Sequence, residues 1–222
     1  MHDLTIVFDL DGTLVDTAPD LVAATNHVLQ HMGRAPIEHE RLRPWIGQGA
    51  MHMIERAIGD AGSNLTQEEH DRLLDRYLTF YGANIAVGSQ PFEGVVPALE
   101  RFKARGATLA VCTNKMEGMS KSLLDALELT QFFAAIAGRD TLATFKPHPE
   151  HLLGTIRMAG GNANRAIMIG DSQVDVATAK AAGVPVVAVS FGYTDIPASE
   201  LGADAVIDHF NELEPAIAAL LR

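Results

Sequence analysis

The segment Leu4-Thr5-Ile6-Val7-Phe8-Asp9-Leu10-Asp11-Gly12-Thr13-Leu14 decides how the rest of the chain is read. Its apolar run reads as a buried strand, which ends in two carboxylates two residues apart and then a glycine. Residues i and i+2 of an extended segment point to the same side, so Asp9 and Asp11 address one centre from one short loop. Like charges held close repel, and a bound cation or a shared proton relieves them. The same residues also serve an ordinary strand-ending turn, since Asp and Gly are turn formers in their own right. The neighbouring sequence has to separate the two readings.

After Thr13 the pattern turns helical. Leu21, Val22, Ala24, Thr25, Val28, Leu29 and Met32 recur at helical spacing up to Gly33. Further helices are expected over 50–58 and 68–81, and the stretch between the first two holds the only tryptophan, Trp45. Nothing from Val15 to Val87 reads as a strand, so residues 15–87 are expected to form an all-helical insertion. Residues 1–14 and 88–222 form the domain that it interrupts.

From Gly88 onward, helices alternate with short apolar runs at 108–112, 133–137, 166–169, 186–189 and 205–207. Strands that are apolar throughout and separated by helices indicate a parallel sheet covered on both faces, an α/β core. Ligands of such sheets bind beyond the carboxyl ends of the strands. Four polar loops fall there. Asp9 and Asp11 follow the first strand, and Thr113-Asn114-Lys115 follows the strand ending at Cys112. Lys146 is kept extended by Pro147, and Asp171 to Asp175 follow the strand ending at Ile169. Each has a bland alternative. Asn114 with Glu117, Ser172 with Asp175, and, at the last helix, Asn211 with Glu214 all fit capping boxes. Capping gives Asp171 no task, and four such loops on one sheet edge favour a site.

Seventeen Lys and Arg against 28 Asp and Glu give a net charge of -11, which disfavours nucleic acid and anionic membrane surfaces as partners. One cysteine, Cys112, excludes an internal disulfide and sits in an apolar run as a small hydrophobe. A start directly on a strand, and no apolar segment near the ~20 residues that cross a bilayer, lead to the expectation of a cytoplasmic protein without membrane contact, a monomer or homodimer. His27 and His31 stand four apart, but with no third ligand nearby they read as ordinary helix positions.

Taken together, Asp9-Leu10-Asp11-Gly12-Thr13, Thr113, Lys146 and Gly170-Asp171-Ser172-Gln173-Val174-Asp175 resemble, in order, the four motifs of the haloacid dehalogenase superfamily. Arg43-Pro44-Trp45-Ile46-Gly47-Gln48-Gly49-Ala50, Thr113-Asn114-Lys115, Lys146-Pro147-His148-Pro149 and Phe191-Gly192-Tyr193 resemble segments of its bacterial phosphoglycolate phosphatases. The resemblance implies a Rossmann-like three-layer core with a small C1-type cap. It also implies a Mg²⁺-dependent phosphatase acting on a small phosphomonoester. Asp9 would be the nucleophile and Asp11 the proton carrier. The metal would be held by Asp9, Asp171 and the backbone carbonyl of Asp11, with Asp175 in support. Thr113, Asn114 and Lys146 would hold the phosphoryl group, and Arg43, Gly47, Gln48 and Gly49 of the cap would read the leaving group. Asp11 argues against dehalogenases, which lack the second acid. A sugar-phosphate mutase and a catalytically silent binding module are the rival readings.

Overall fold

The computed structural model describes residues 2–59 and 65–221. Its centre is strand β1 (Thr5–Phe8), buried at all four positions. The other strands of its sheet are β4 (Thr108–Cys112), β5 (Ala135–Ala137), β6 (Ala166–Gly170), β7 (Val186–Val189) and β8 (Ala205–Ile207). They are parallel and lie in the order β5-β4-β1-β6-β7-β8. The chain thus moves outward from β1 to one edge, then crosses to β6 and moves to the other. This order puts the loops after β4 and β6 on either side of the loop after β1, at the position where ligands of such sheets bind.

Burial follows the strand period of two. Ile6 and Phe8, Leu109 and Val111, Ile167 and Ile169, and Val187 and Val189 face one apolar layer. Their neighbours Val7, Ala110, Met168 and Ala188 face the other. Helices α5 (Val95–Ala104), α6 (Glu117–Ala126) and α9 (Leu213–Leu220) cover the first face; α7 (Pro149–Met158) and α8 (Gln173–Ala182) cover the second. These are the three layers expected.

The helical insert has its own core. Helices α1 (Ala18–His31), α3 (Ala50–Ile58) and α4 (Gln67–Ala83) pack through Val28, Leu29, Ile54, Tyr77 and Tyr81. The short helix α2 (His39–Leu42) and a 3-10 turn, Arg43–Trp45, precede α3. Two features depart from the sequence reading. Val15–Asp16 (β2) pairs antiparallel with Gln90–Pro91 (β3), a ribbon at the stem of the insert; two-residue strands carry no periodicity to read. Asn211 and Glu214 form no capping box, because a 3-10 turn, Phe210–Glu212, precedes α9. Asn211 N instead donates to His209, while Glu214 pairs with Arg105.

His27 stacks on Phe80 with ring centres 4.3 Å apart, an ordinary packing position. Among the described residues no helix is long and apolar enough to cross a membrane.

Candidate active site

The turn after β1 is wound around one carbonyl: Leu10 O accepts the N–H groups of Thr13, Leu14 and Val15 at 3.3, 3.0 and 3.1 Å. Gly12 takes φ +85°, a conformation that favours glycine, and the space beside it is filled by Asp171. Asp9 and Asp11 both line a cleft of about 470 Å³ between the sheet edge and the insert.

Their surroundings differ. Asp9 Oδ1 lies 2.8 Å from Lys146 Nζ, yet among the described residues it has no well-aligned hydrogen bond. Lys146 directs its ammonium to Asp175 Oδ1 at 2.6 Å. Asp175 Oδ2 accepts from Ser172 Oγ and N, the capping box expected at α8. With both oxygens engaged, Asp175 serves as an anchor for Lys146. Asp171 accepts from Thr13 Oγ1 at 3.1 Å and from the Tyr193 N–H at 2.7 Å. Asp11 is turned the other way, to Lys115 Nζ at 2.9 Å.

The buried carboxylates of Asp9, Asp171 and Asp175 bring one oxygen each within 4.8 Å of one another, with a single ammonium among them. Burial pushes Asp9 up to about 6 against the pull of Lys146. Burial, with Asp175 and Asp9 adding repulsion, pushes Asp171 up to about 8. Burial also disfavours the Lys146 ammonium, but Asp175 and Asp9 outweigh it and keep its pKa above the ordinary lysine value. An oxygen-only donor set with uncompensated negative charge and an orphaned carboxylate oxygen suits a hard divalent cation. The Asp11 side chain contributes no oxygen to this group.

The structure brings Asp9, Asp11, Thr113, Asn114, Lys146, Asp171 and the Gly47-Gln48-Gly49 loop to one cleft. Arg43 is not in its lining. Arg43 Nη2 donates to the carbonyls of Phe191 at 2.7 Å and Gly192 at 3.1 Å, and the guanidinium lies over Tyr193. The expected leaving-group reader therefore clamps the loop that holds Asp171. Asn114 also departs from its capping reading: α6 starts without a side-chain cap, and Asn114 Nδ2 donates to Lys146 O at 3.0 Å, fastening the lysine loop.

Sequence reasoning missed several residues. His151 is fully buried, and burial lowers its pKa to about 4. Its neutral ring accepts the Lys146 N–H at 3.2 Å through Nδ1 and faces Gly138 O at 3.0 Å through Nε2, so it fixes the lysine loop from behind. Lys115, Tyr77 and Tyr81 line the cleft, and burial raises both phenols so that they keep their protons. Lys115 stands in the Thr113-Asn114-Lys115 loop already picked out, but no motif signals the tyrosines, which come from the middle of an amphipathic helix.

A parallel α/β sheet with a helical insert over two acids, a buried lysine and a carboxylate group defines a hydrolase of the two-part, capped type. The profile of the haloacid dehalogenase-like hydrolases matches residues 6–189. A phosphoglycolate phosphatase of Mesorhizobium japonicum is 52% identical over 216 residues, covering 97% of this chain and 95% of that protein. One of Agrobacterium fabrum is 47% identical over 211 residues, covering 95% and 91%. A crystal structure of a predicted phosphoglycolate phosphatase from Haemophilus somnus superposes with a TM-score of 0.89 at 30% identity, covering 96% of this chain and 97% of that one. The chain belongs to the haloacid dehalogenase-like hydrolases.

Proposed function

We propose that this protein is a Mg²⁺-dependent phosphatase that converts 2-phosphoglycolate to glycolate and inorganic phosphate through a phosphorylated Asp9. One observation carries the reading: the two acids of a single turn are separated in environment, Asp9 toward Lys146 and the carboxylate group, Asp11 toward Lys115. The substrate reading is supported by the activity named for the relatives that match along nearly the whole chain.

An Asp9 carboxylate oxygen attacks phosphorus in line, and the bond from phosphorus to the ester oxygen breaks. Asp11 gives its proton to that departing oxygen, then takes a proton from the water that attacks the aspartyl-phosphate. The Asp9–phosphorus bond breaks in this second step and the carboxylate is restored. Dividing the reaction in two matters because phosphate monoesters hydrolyse so slowly unaided that enhancements reach ~10²¹. The Lys146 ammonium, the Thr113 hydroxyl and the Asn114 backbone N–H would meet the phosphoryl oxygens. Asp9, Asp171 and the backbone carbonyl of Asp11 would hold Mg²⁺, which supplies positive charge that lets a carboxylate approach an anionic phosphate. Residues 15–87 act as a cap whose Gly47-Gln48-Gly49 loop closes over the leaving group and excludes water. The free, buried Cys112 suits a reducing cytoplasm.

Phosphate release with Mg²⁺ from 2-phosphoglycolate, measured beside a hexose phosphate, a nucleoside monophosphate and pyrophosphate, tests the reading. Preference for 2-phosphoglycolate is expected. Equal or better turnover of the others contradicts the substrate, and formation of an isomeric ester without free phosphate contradicts hydrolysis.

A further inference from the structure

Beside Asp11 the cleft holds polar groups that the hydrolytic steps do not use. Lys115 donates to Asp11 at 2.9 Å, and its ammonium lies 4.5 Å from the centre of the Tyr81 ring. Its side chain is only 7% exposed. Tyr77 and Tyr81 stand one turn apart on α4, each 1% exposed, and among the described residues neither hydroxyl has a hydrogen-bond partner. Both line the same cleft as Asp11 and Lys115. A buried hydroxyl without a partner is destabilising. Two of them, one turn apart on one helix, form a pair that a bound acceptor would satisfy.

The substrate's own geometry says where that acceptor falls. Asp11 must come within hydrogen-bond reach of the ester oxygen to protonate it. In 2-phosphoglycolate the carboxylate begins one carbon beyond this oxygen, so the cation that reads it has to stand next to Asp11. Among the cationic side chains lining the cleft, Lys146 stands with Asp9 and Asp175 on the phosphoryl side, and Arg139 lies over Phe145. Lys115 is the one that touches Asp11.

From these positions we infer that Lys115 and the hydroxyls of Tyr77 and Tyr81 form the subsite for the leaving group's carboxylate. The inference rests on the phosphatase reading above and assigns specificity within it. One ammonium and two phenol O–H groups are donors, and a carboxylate has the acceptor sites to engage all three. An ester without the carboxylate leaves the phenols unpaired, and a site built to hydrogen-bond a missing group rejects the analogue strongly. Because Lys115 comes from the core and the tyrosines from the insert, the same carboxylate bonds across the cleft and favours its closed form.

The test is binding calorimetry in the presence of Mg²⁺ with two unreactive ligands. One is 3-phosphonopropionate, the isostere of 2-phosphoglycolate with methylene for the ester oxygen; the other is propylphosphonate, which lacks the carboxylate. Wild type is expected to bind the first at least about tenfold tighter, the scale of hydrogen bonds to a charged group. Tyr77→Phe and Tyr81→Phe should each shrink that gap severalfold, and Lys115→Met should abolish it. The two Tyr→Phe proteins should melt no lower than wild type, since each loses only an unpaired hydroxyl. A gap that survives in all three variants overturns the subsite while the substrate reading stands. A wild type with no gap, which also hydrolyses 2-phosphoglycolate no better than ethyl phosphate, overturns both.

Discussion

Tyr193 ties Asp171 to the stem of the helical insert. Its backbone N–H donates to Asp171 Oδ2 at 2.7 Å, and its hydroxyl donates to Asp16 Oδ1 at 2.6 Å. The same hydroxyl accepts the N–H groups of Thr17 at 2.7 Å and Ala18 at 3.0 Å, where α1 begins. Tyr193→Phe keeps the ring and the bond to Asp171 but strips the buried Thr17 N–H of its acceptor and leaves the Ala18 N–H only its longer bond to Asp16 Oδ1 at 3.4 Å. Urea denaturation is expected to give a loss of about 1–3 kcal/mol, and unchanged stability would show that the hydroxyl is not a structural anchor.

Arg43 acts on the same loop from the insert. Because its Nη2 is held by the Phe191 and Gly192 carbonyls and the side chain lies outside the cleft lining, Arg43→Ala should lower turnover of carboxylated and neutral esters by the same factor. A loss confined to 2-phosphoglycolate in a phosphate-release assay would restore Arg43 as a reader of the carboxylate.

Gly12 leaves no room for a side chain: a Cβ there would stand 2.5 Å from Asp171 Oδ2, at a φ of +85°. Gly12→Ala is expected to move Asp171 and weaken Mg²⁺ binding by at least about tenfold, because holding a ligating group out of place costs affinity on that scale. Calorimetric titration with Mg²⁺ checks it, and wild-type affinity would place Asp171 outside the metal site.

With EDTA, stability should fall as pH rises. Asp9 and Asp171 have pKa values raised to about 6 and about 8 in the fold, against 3.8 as the reference. The folded chain therefore binds more protons than the unfolded chain between these limits. The stability these groups give is present below about pH 4 and is lost as pH rises toward 6 for Asp9 and toward 8 for Asp171. Mg²⁺ should reverse the trend, stabilising most at pH 8, where it no longer competes with protons. Thermal melts at several pH values with EDTA and with Mg²⁺ measure both effects; a Mg²⁺ effect greatest at pH 5 would contradict the carboxylate site.

Much of this arrangement is legible in the sequence. Strands that are apolar throughout announce a sheet covered on both faces, and the polar residues that end β1, β4 and β6 announce where its loops converge. The α3 limits and the Ser172–Asp175 cap follow from local pattern alone. What stays hidden is set by tertiary contact. Arg43 sits beside the glycine loop in sequence, yet its partners are carbonyls nearly one hundred and fifty positions away. Asn114 has capping spacing, but the Lys146 carbonyl outcompetes the helix start. Tyr77 and Tyr81 look like core positions, and their rings are; only the cleft beside them makes their hydroxyls matter.

The central claim is that Asp9 carries the phosphoryl group. Rapid quench of the enzyme turning over 2-phosphoglycolate with Mg²⁺, reduction with borohydride and mass spectrometry of the peptide containing residue 9 test it most directly. An acyl phosphate at Asp9 is reduced to homoserine at that position, while Asp11 and Asp171 remain aspartate. Turnover with no modified Asp9, or with the modification on another carboxylate, would contradict the account.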